Sequence, residues 1–454
     1  MGKYKYSEEE QKMNNVLKYQ DDQLKELLAE SRSTRNETDA EIEAMETFLR
    51  KRGLDPSKAA KKSTVVEAPK KVMVLPSWEN LCAEAESVVG GSCELESIFT
   101  EAELKSNELA IQQLNKEYNQ IHKLDKTDIA ISAIAGIVGA AVDILMVGIP
   151  QKGPEGLEAG TLSNFIRKKF SADEMEKLAN SKESKVPFDA QDSRNTTIRV
   201  EGLSAYYHRL LSLGHDPLLG FVVGVFDILT GRMTTIDKTG KFVSQVMENY
   251  ADRKESNIFA ALAKQLAHFK SDITTSMGLP APLMGVFNLF QFGSIGEYEQ
   301  TVAEIVQGMY YEGYDFIHFC SMSIPVMITE VIVRISYAIK RINEGKRIRD
   351  SIPFSLNREK HPKLATMLFI AHSGATAINA GKVYFTKNPM AINYPQWVAF
   401  AKYSYKQLKW GVVEKPLARE AYVAGKLEDS WNELEMEISE SFEEFSKDYY
   451  VVFE

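Results

Sequence analysis

Several features that define common protein classes are scarce or missing in this chain of 454 residues. Its three cysteines, Cys82, Cys93 and Cys320, form no CxxC pair and have no histidine at zinc-finger spacing, which argues against a disulfide framework and a structural zinc site. The net charge of −9 argues against general nucleic-acid binding, because neutralising phosphates requires clustered lysine and arginine. The first residues lack an apolar stretch, so we expect no secretory signal.

Strand patterns and nucleotide-binding motifs are also missing. Apolar and polar residues almost nowhere alternate with a period of two over five residues or more, so few strands are expected. The chain has no dinucleotide fingerprint, phosphate loop, HExxH, GxSxG elbow, EF-hand or kinase motif set, and the enzyme classes that these motifs define are therefore not indicated. Helical spacing dominates instead, and the predicted fold class is mainly α.

A charged helical arm and a linker are predicted at the beginning of the chain. Within residues 1–52, apolar residues at helical spacing in a polar background predict two helices, with a break at the polar run 31–36. Their narrow apolar stripe is typical of a helical hairpin or a short coiled coil. Residues 53–76 contain three prolines and several lysines and are predicted to form a linker.

Residues 77–454 are predicted to form one large, bundle-like helical body. Gly- and Ala-rich helices at 129–149, 218–231 and 283–293 are expected at its centre, because small residues let helix backbones approach closely. The final helix, after Pro416, is amphipathic with a strongly acidic outer face. We expect it to cover one flank of the body or to dock a partner protein.

The segment Ile129–Ile149 is apolar on every helical face and contains one acid, Asp143. It has about the length that a bilayer requires, but an aspartate near the centre of a membrane helix costs about 3 kcal/mol on insertion. Three interpretations stay open: buried core, conditional insertion as in water-soluble pore-forming proteins, and permanent membrane spanning. The core interpretation is favoured, and it requires that Asp143 and Asp227 find a polar partner, a helix end or water.

A candidate metal site lies around the dipeptide His215-Asp216. Together with His208 it resembles the HD signature of metal-dependent hydrolases, in which imidazoles and carboxylates converge on a divalent ion. A full ligand set would need further residues, for which the chain offers His122, Asp272 and Asp315. The favoured alternative is that Asp216 caps a helix that begins at Pro217. We therefore assign no metal ligand, no cofactor and no catalytic residue from the sequence.

One further stretch, residues 361–403, is rich in small, amide and aromatic residues. Its polar and aromatic members are His372, Asn379, Lys382, Tyr384, Asn388, Asn393, Tyr394 and Trp397. Such a set can line a ligand pocket or join two helices at a corner, and the corner is the favoured interpretation.

Two functions follow from this sequence. The leading prediction is a non-enzymatic helical interaction or effector protein, cytoplasmic and able to engage or insert into membrane through its apolar helices. It would have a protein partner and no nucleic-acid partner, while a small-molecule ligand stays unidentified. The alternative is a soluble metal-dependent helical hydrolase of the HD type that uses His208, His215 and Asp216.

Overall fold

The computed structural model describes eight stretches of the chain, with short gaps between them. These are residues 5–58, 70–91, 93–153, 156–169, 177–178, 180–273, 278–295 and 299–453. They form many helices and a few short strands, which confirms the predicted mainly α, multi-helix fold. The chain divides into two compact units: one contains residues 1–120 and 416–454, and the other contains residues 121–415.

The described helices and strands have the following bounds. The helices are α1 (Glu8–Lys51), α2 (Trp78–Val89), α3 (Glu101–His122), α4 (Lys126–Val142), α5 (Thr161–Arg167), α6 (His208–Leu211), α7 (Val223–Thr230), α8 (Ile258–Asp272), α9 (Val302–Tyr311), α10 (Phe316–Asn343), α11 (Ile348–Ser351), α12 (Leu364–Thr386), α13 (Tyr394–Lys409) and α14 (Lys415–Asp448). The strands are β1 (Lys71–Leu75), β2 (Gln151–Gly153), β3 (Gly156–Glu158), β4 (Arg232–Ile236), β5 (Phe242–Val246) and β6 (Tyr449–Phe453).

The first unit begins with α1, which is one continuous helix of 44 residues. The predicted break at residues 31–36 was wrong. That run contains neither proline nor glycine. The hydroxyls of Thr34 within it and of Thr38 just after it donate to carbonyls four residues earlier, at 3.0 and 2.8 Å, as hydroxyls do inside a continuous helix. Val16 and Tyr19 of this helix pack against Ala85 of α2.

The predicted linker is only partly described, because residues 59–69 lie outside the described residues. Its last part, predicted to lack structure, is strand β1, which pairs in parallel with β6 from Lys71 opposite Tyr449 to Leu75 opposite Phe453. Each strand is a five-residue, nearly continuous apolar run, KVMVL and YYVVF, which is too short to be recognised alone. The partners lie almost the whole chain apart.

The second unit contains a four-helix arrangement in which α4 packs between α10 and α12, and α13 packs against both of those helices. Asp125 and Asp128 form a capping box at the beginning of α4. Both carboxylates also bind Lys340, near the end of α10, and Lys363, just before α12. Helix α4 therefore runs antiparallel to α10 and parallel to α12.

Glycines make this close packing possible. A Cβ added at Gly136 would lie 2.5 Å from the carbonyl oxygen of Ala371 on α12, and one added at Gly139 would collide with the hydroxyl of Thr329 on α10. Of the three predicted Gly- and Ala-rich helices, the first is thus central to the bundle, as expected. The second is shorter than predicted, Val223–Thr230, and the third is a 3-10 helix, Met284–Leu289.

The two acids in the apolar helices have polar partners, as the core interpretation requires. Asp143 is 4% exposed and bonds to Lys382, Asn379 and Asn393. Asp227 is fully buried and accepts hydrogen bonds from the amide and the hydroxyl of Thr234, both at 2.8 Å.

Asp227→Asn is expected to alter how the melting temperature depends on pH. Burial raises the pKa of Asp227 to about 6 despite its bonds to Thr234. A raised carboxyl pKa stabilises the fold below the unfolded value near 4, and this contribution is lost as the pH rises through 6. Asparagine can accept from the amide of Thr234 and donate to its hydroxyl, without the charge. The free energy of unfolding of the wild type should therefore fall by up to about 3 kcal/mol between pH 4 and 7 relative to that of the variant. If the melting temperatures of the two proteins changed in parallel over that pH range, the prediction would be contradicted.

Candidate metal centre

Three histidines and two aspartates of the second unit meet at one point. Asp189 comes from a loop, His208 begins α6, and His215 ends the short turn after α6. His268 and Asp272 lie four residues apart on α8, so they project from the same helical face. Two overlapping sets of ligand atoms result, Asp189–His208–His215 and His215–His268–Asp272, and within each set all atoms lie within 4.8 Å of one another.

The distances between nitrogen and oxygen atoms are similar throughout the cluster. Oδ1 of Asp189 lies 3.3 Å from Nε2 of His208 and 3.6 Å from Nε2 of His215. Oδ2 of Asp272 lies 3.7 Å from Nε2 of His215 and 3.4 Å from Nε2 of His268. Ligands about 2.0–2.2 Å from a tetrahedral ion are separated from one another by about 3.3–3.5 Å. The spacing therefore suits atoms that share one ion.

Two of the imidazoles are oriented by the backbone. Nδ1 of His208 lies 3.0 Å from the carbonyl oxygen of Ala205, and Nδ1 of His268 lies 2.9 Å from that of Ser184. A carbonyl oxygen can only accept, so each Nδ1 carries a proton and each ring directs its Nε2 into the cluster. Metal-binding histidines are commonly held in this way.

Several polar atoms at the centre of the cluster lack hydrogen bonds. Within the described residues, Nε2 of His208, His215 and His268 and Oδ1 of Asp189 are buried and form no hydrogen bond. Three imidazole nitrogens thus face carboxylate oxygens without a hydrogen bond between them. A cation between them would convert this unfavourable arrangement into a set of ligand bonds.

Burial and charge both shape the cluster. His208, His215 and His268 are at most 2% exposed, and burial lowers the pKa of His215 to about 4. Burial disfavours the ionised form of Asp272, but His268 and Arg209 outweigh it and hold the pKa of Asp272 below its usual range. The pKa of Asp189 also lies well below its usual range, because His208 and His215 outweigh the effect of burial.

Neighbouring side chains fix the cluster in place. Arg209 donates to both oxygens of Asp272, from Nε at 2.8 Å and from a terminal nitrogen at 3.3 Å. The ring of Phe188 packs edge-on against the rings of His215 and His268. Gln265 donates to the carbonyl oxygen of Gly214 at 2.7 Å, which anchors the turn that carries His215.

The structure brings together only some of the residues that the sequence analysis considered. His208, His215 and Asp272 are in the cluster. Asp216 is not: its Oδ1 accepts from the amides of Leu218 and Leu219, both at 2.9 Å. The predicted capping hydrogen bonds are therefore present, but the predicted helix start at Pro217 was wrong: a short 3-10 helix begins at Leu219 and the α-helix α7 begins at Val223.

Four other residues complete the comparison. The ring of His122 packs at a tilt against the ring of Trp410, and Asp315 binds Arg167 with both oxygens at 2.8 Å, so neither belongs to the cluster. Asp189 and His268 belong to it and were missed. His268 could have been recognised from its spacing of four to Asp272 in a helical pattern, whereas Asp189 lies in a polar loop without a motif.

The stretch 361–403 forms a helix corner in the structure. Oδ1 of Asn379 on α12 accepts from the backbone amide of Asn393 and from Nε1 of Trp397, both at 3.0 Å. His372 is buried and stacks on Tyr403. These bonds connect the end of α12 to the beginning of α13, as the favoured interpretation expected.

Comparison with models of known protein families, with curated proteins and with solved structures found no match for this chain. The proposed function therefore rests on the geometry of the cluster.

Proposed function

We propose that this protein is a metal-dependent hydrolase whose divalent ion is bound within this cluster, by His215, which both ligand sets share, together with His208 and Asp189 from one set and His268 from the other. One observation supports this proposal most strongly. Three imidazole Nε2 atoms lie 3.3–3.7 Å from carboxylate oxygens, and no hydrogen bond joins them. Asp272, already bonded to Arg209, supplies the second negative charge. Two carboxylates and one guanidinium leave one excess negative charge that a divalent cation would more than balance.

The donor set favours catalysis over a purely structural role. Structural zinc sites are usually closed and rich in cysteine, whereas catalytic sites combine histidine and carboxylate ligands with a position open to water. No cysteine belongs to the two ligand sets. The side chain of Asp189 is 25% exposed while that of His215 is fully buried, so water would reach the ion from the side of Asp189. A bound ion would lower the pKa of such a water and make it a nucleophile at neutral pH.

This proposal keeps the hydrolase alternative of the sequence analysis but changes its ligands. Asp216, the aspartate of the HD dipeptide, caps a turn and does not face the proposed ion. Asp189 takes its place, and His268 from α8 adds a third imidazole. The nitrogen and oxygen donors suit Zn²⁺, Mn²⁺ or Fe²⁺.

The protein purified without chelators is expected to contain about one equivalent of a divalent transition metal. His268→Gln should lower the metal content at least tenfold, because glutamine of similar volume cannot offer the Nε2 lone pair. Elemental analysis of both proteins measures this. His122→Gln is the matched control, since that ring packs against Trp410 away from the cluster, and its metal content should equal that of the wild type.

Hydrolysis should follow the metal. Bis(4-nitrophenyl) phosphate and 4-nitrophenyl acetate are suitable probes for phosphodiester and carboxylic ester cleavage, and activity on either should disappear with a chelator and return with Zn²⁺ or Mn²⁺. The metal centre would be refuted if the wild-type protein contained no metal. It would also be refuted if His268→Gln contained as much metal as the wild type. A metal-loaded protein inert towards a broad ester panel would refute the hydrolase.

A second candidate function, membrane association, is favoured by a separate observation. The segments Glu101–Val147 and Phe316–Asn343 are long and apolar enough to cross a membrane. On α10, Met327, Val331, Ile335 and Ile339 follow one another at intervals of four residues, and each is at least 51% exposed. Ile129, Ile134 and Ile137 of α4 are also about half exposed. In this candidate a cytoplasmic protein engages lipid through these apolar stripes, which matches the leading prediction from the sequence.

Vesicle flotation tests this second candidate. The wild type should float with phospholipid vesicles, and Val331→Glu/Ile335→Glu should bind at least tenfold more weakly, because two charges then interrupt the α10 stripe. Equal flotation of the two proteins would exclude the stripe as the contact.

A further inference from the structure

The segment between α10 and α12 is basic in an otherwise acidic chain. Residues 340–363 contain eight lysines and arginines against three acids, a net charge of +5, whereas the whole chain carries −9. The segment includes the short helix α11 and connects the end of α10 to the beginning of α12. Its charge is therefore concentrated at one end of the four-helix arrangement.

The eight basic residues divide into two groups. Four are engaged within the fold: Lys340 and Lys363 bind Asp125 and Asp128, Arg341 donates to Tyr337 and to the backbone of Lys360, and Arg358 covers the ring of Trp410. The other four are Lys346, Arg347, Arg349 and Lys360. They are exposed and form no ion pair with the described residues.

Large apolar side chains stand among these exposed charges. Phe354 is 90% exposed and Ile348 is 65% exposed. Phe354 lines a surface cleft together with Arg349 and Lys360, so apolar and basic groups share one surface. Ile339 and Ile342, exposed by 53% and 39%, extend the α10 stripe to the beginning of this segment.

We propose that residues 340–363 bind the surface of an anionic phospholipid bilayer, with Lys346, Arg347, Arg349 and Lys360 at the headgroups and Phe354 and Ile348 inserted below them. This inference rests on the membrane candidate above and deepens it by naming the lipid class and the end of the bundle that meets the lipid. Clusters of basic residues beside apolar helices bind acidic lipids in this way.

The apolar side chains distinguish a bilayer from nucleic acid. Phosphate neutralisation by lysine and arginine explains nucleic-acid binding without an exposed Phe354 or Ile348. At a bilayer, both groups contribute at once: the charges meet the headgroups, and the aromatic and aliphatic side chains leave water. The adjoining α10 stripe extends the apolar contact.

Flotation of the full-length protein with vesicles of two compositions tests this inference. Vesicles with one quarter phosphatidylserine should bind it at least tenfold more tightly than pure phosphatidylcholine vesicles. Arg347→Gln/Arg349→Gln should weaken binding to the acidic vesicles about 25-fold, since each basic residue near such a surface contributes about a fivefold increase in affinity. Lys25→Gln/Arg35→Gln removes the same charge from α1 and should change binding less than twofold. Phe354→Ala, at an exposed site that the fold does not need, should weaken binding to the acidic vesicles without altering the melting temperature.

The possible results distinguish this inference from the membrane candidate on which it rests. Equal binding to both vesicle types, unchanged by Arg347→Gln/Arg349→Gln, would overturn the lipid class and keep the membrane candidate. No flotation with either vesicle would overturn both. Tight binding of a duplex DNA oligonucleotide that displaces the vesicles and is unaffected by Phe354→Ala would assign the basic surface to nucleic acid instead.

Discussion

Asp272→Asn is expected to lower the melting temperature by roughly 5–10 °C, and by more than Asp189→Asn does. Asp272 is 4% exposed and holds the guanidinium of Arg209 with both oxygens. Removing one partner of a buried ion pair costs about 3–5 kcal/mol, because the other charge stays buried and unpaired. The side chain of Asp189 is 25% exposed, and no guanidinium among the described residues forms an ion pair with it. Its loss should instead lower zinc affinity at least tenfold, which competition with a chromogenic chelator measures.

A paired substitution controls for this interpretation. Arg209→Met/Asp272→Asn removes both charges, so it should recover at least half of the stability that Asp272→Asn loses. A melting temperature as low as that of the single variant would mean that the ion pair is not the cause. Equal stability losses in Asp189→Asn and Asp272→Asn would contradict the different roles of the two carboxylates.

Asp143→Leu should destabilise the second unit by about 3–5 kcal/mol even though it makes an apolar helix more apolar. Lys382 donates to Asp143 at 3.0 Å, and Asn393 and Asn379 donate to it at 2.7 and 3.2 Å. The side chains of Lys382 and Asp143 are 9% and 6% exposed. Leucine would leave the buried ammonium of Lys382 without this acceptor. Each of the two amide nitrogens would lose one acceptor and keep a backbone carbonyl. Urea unfolding followed by circular dichroism measures the change.

The double variant Asp143→Leu/Lys382→Met separates the lost charge pair from other effects of leucine. It should be more stable than Asp143→Leu, because methionine removes the unpaired charge and keeps the length of the side chain. Two variants of equal stability, or an Asp143→Leu protein as stable as the wild type, would show that this network contributes little to the fold.

The sequence predicted the parts of the fold that depend on local pattern. The Gly- and Ala-rich helix around Gly136 and Gly139, the polar partners of Asp143 and Asp227 and the corner at Asn393 all follow from spacing or from the cost of burying polar groups. The pairing of Lys71–Leu75 with Tyr449–Phe453 could not be predicted, because five-residue strands carry little signal and their partners are distant in sequence. The continuity of α1 was missed because a polar run was taken for a break.

The cluster shows a different limit of sequence reasoning. The dipeptide His215-Asp216 predicts either a helix cap or a metal site, and these two interpretations look like alternatives in the sequence. In the structure Asp216 caps its turn while the adjacent His215 faces the cluster. Asp189 carries no motif, and only the tertiary fold brings it beside His208. Ligands from four separate segments can be recognised only when the structure has placed them together.

The central claim is that these imidazoles and carboxylates bind one divalent ion, and X-ray absorption spectroscopy of the protein loaded with one equivalent of Zn²⁺ tests it most directly. The account predicts a first shell of nitrogen and oxygen at about 2.0–2.2 Å, with outer-shell scattering from at least two imidazoles that weakens in His268→Gln. A first shell that contains sulfur at about 2.3 Å, a hydrated ion without imidazole scattering, or a spectrum unchanged in His268→Gln would contradict it.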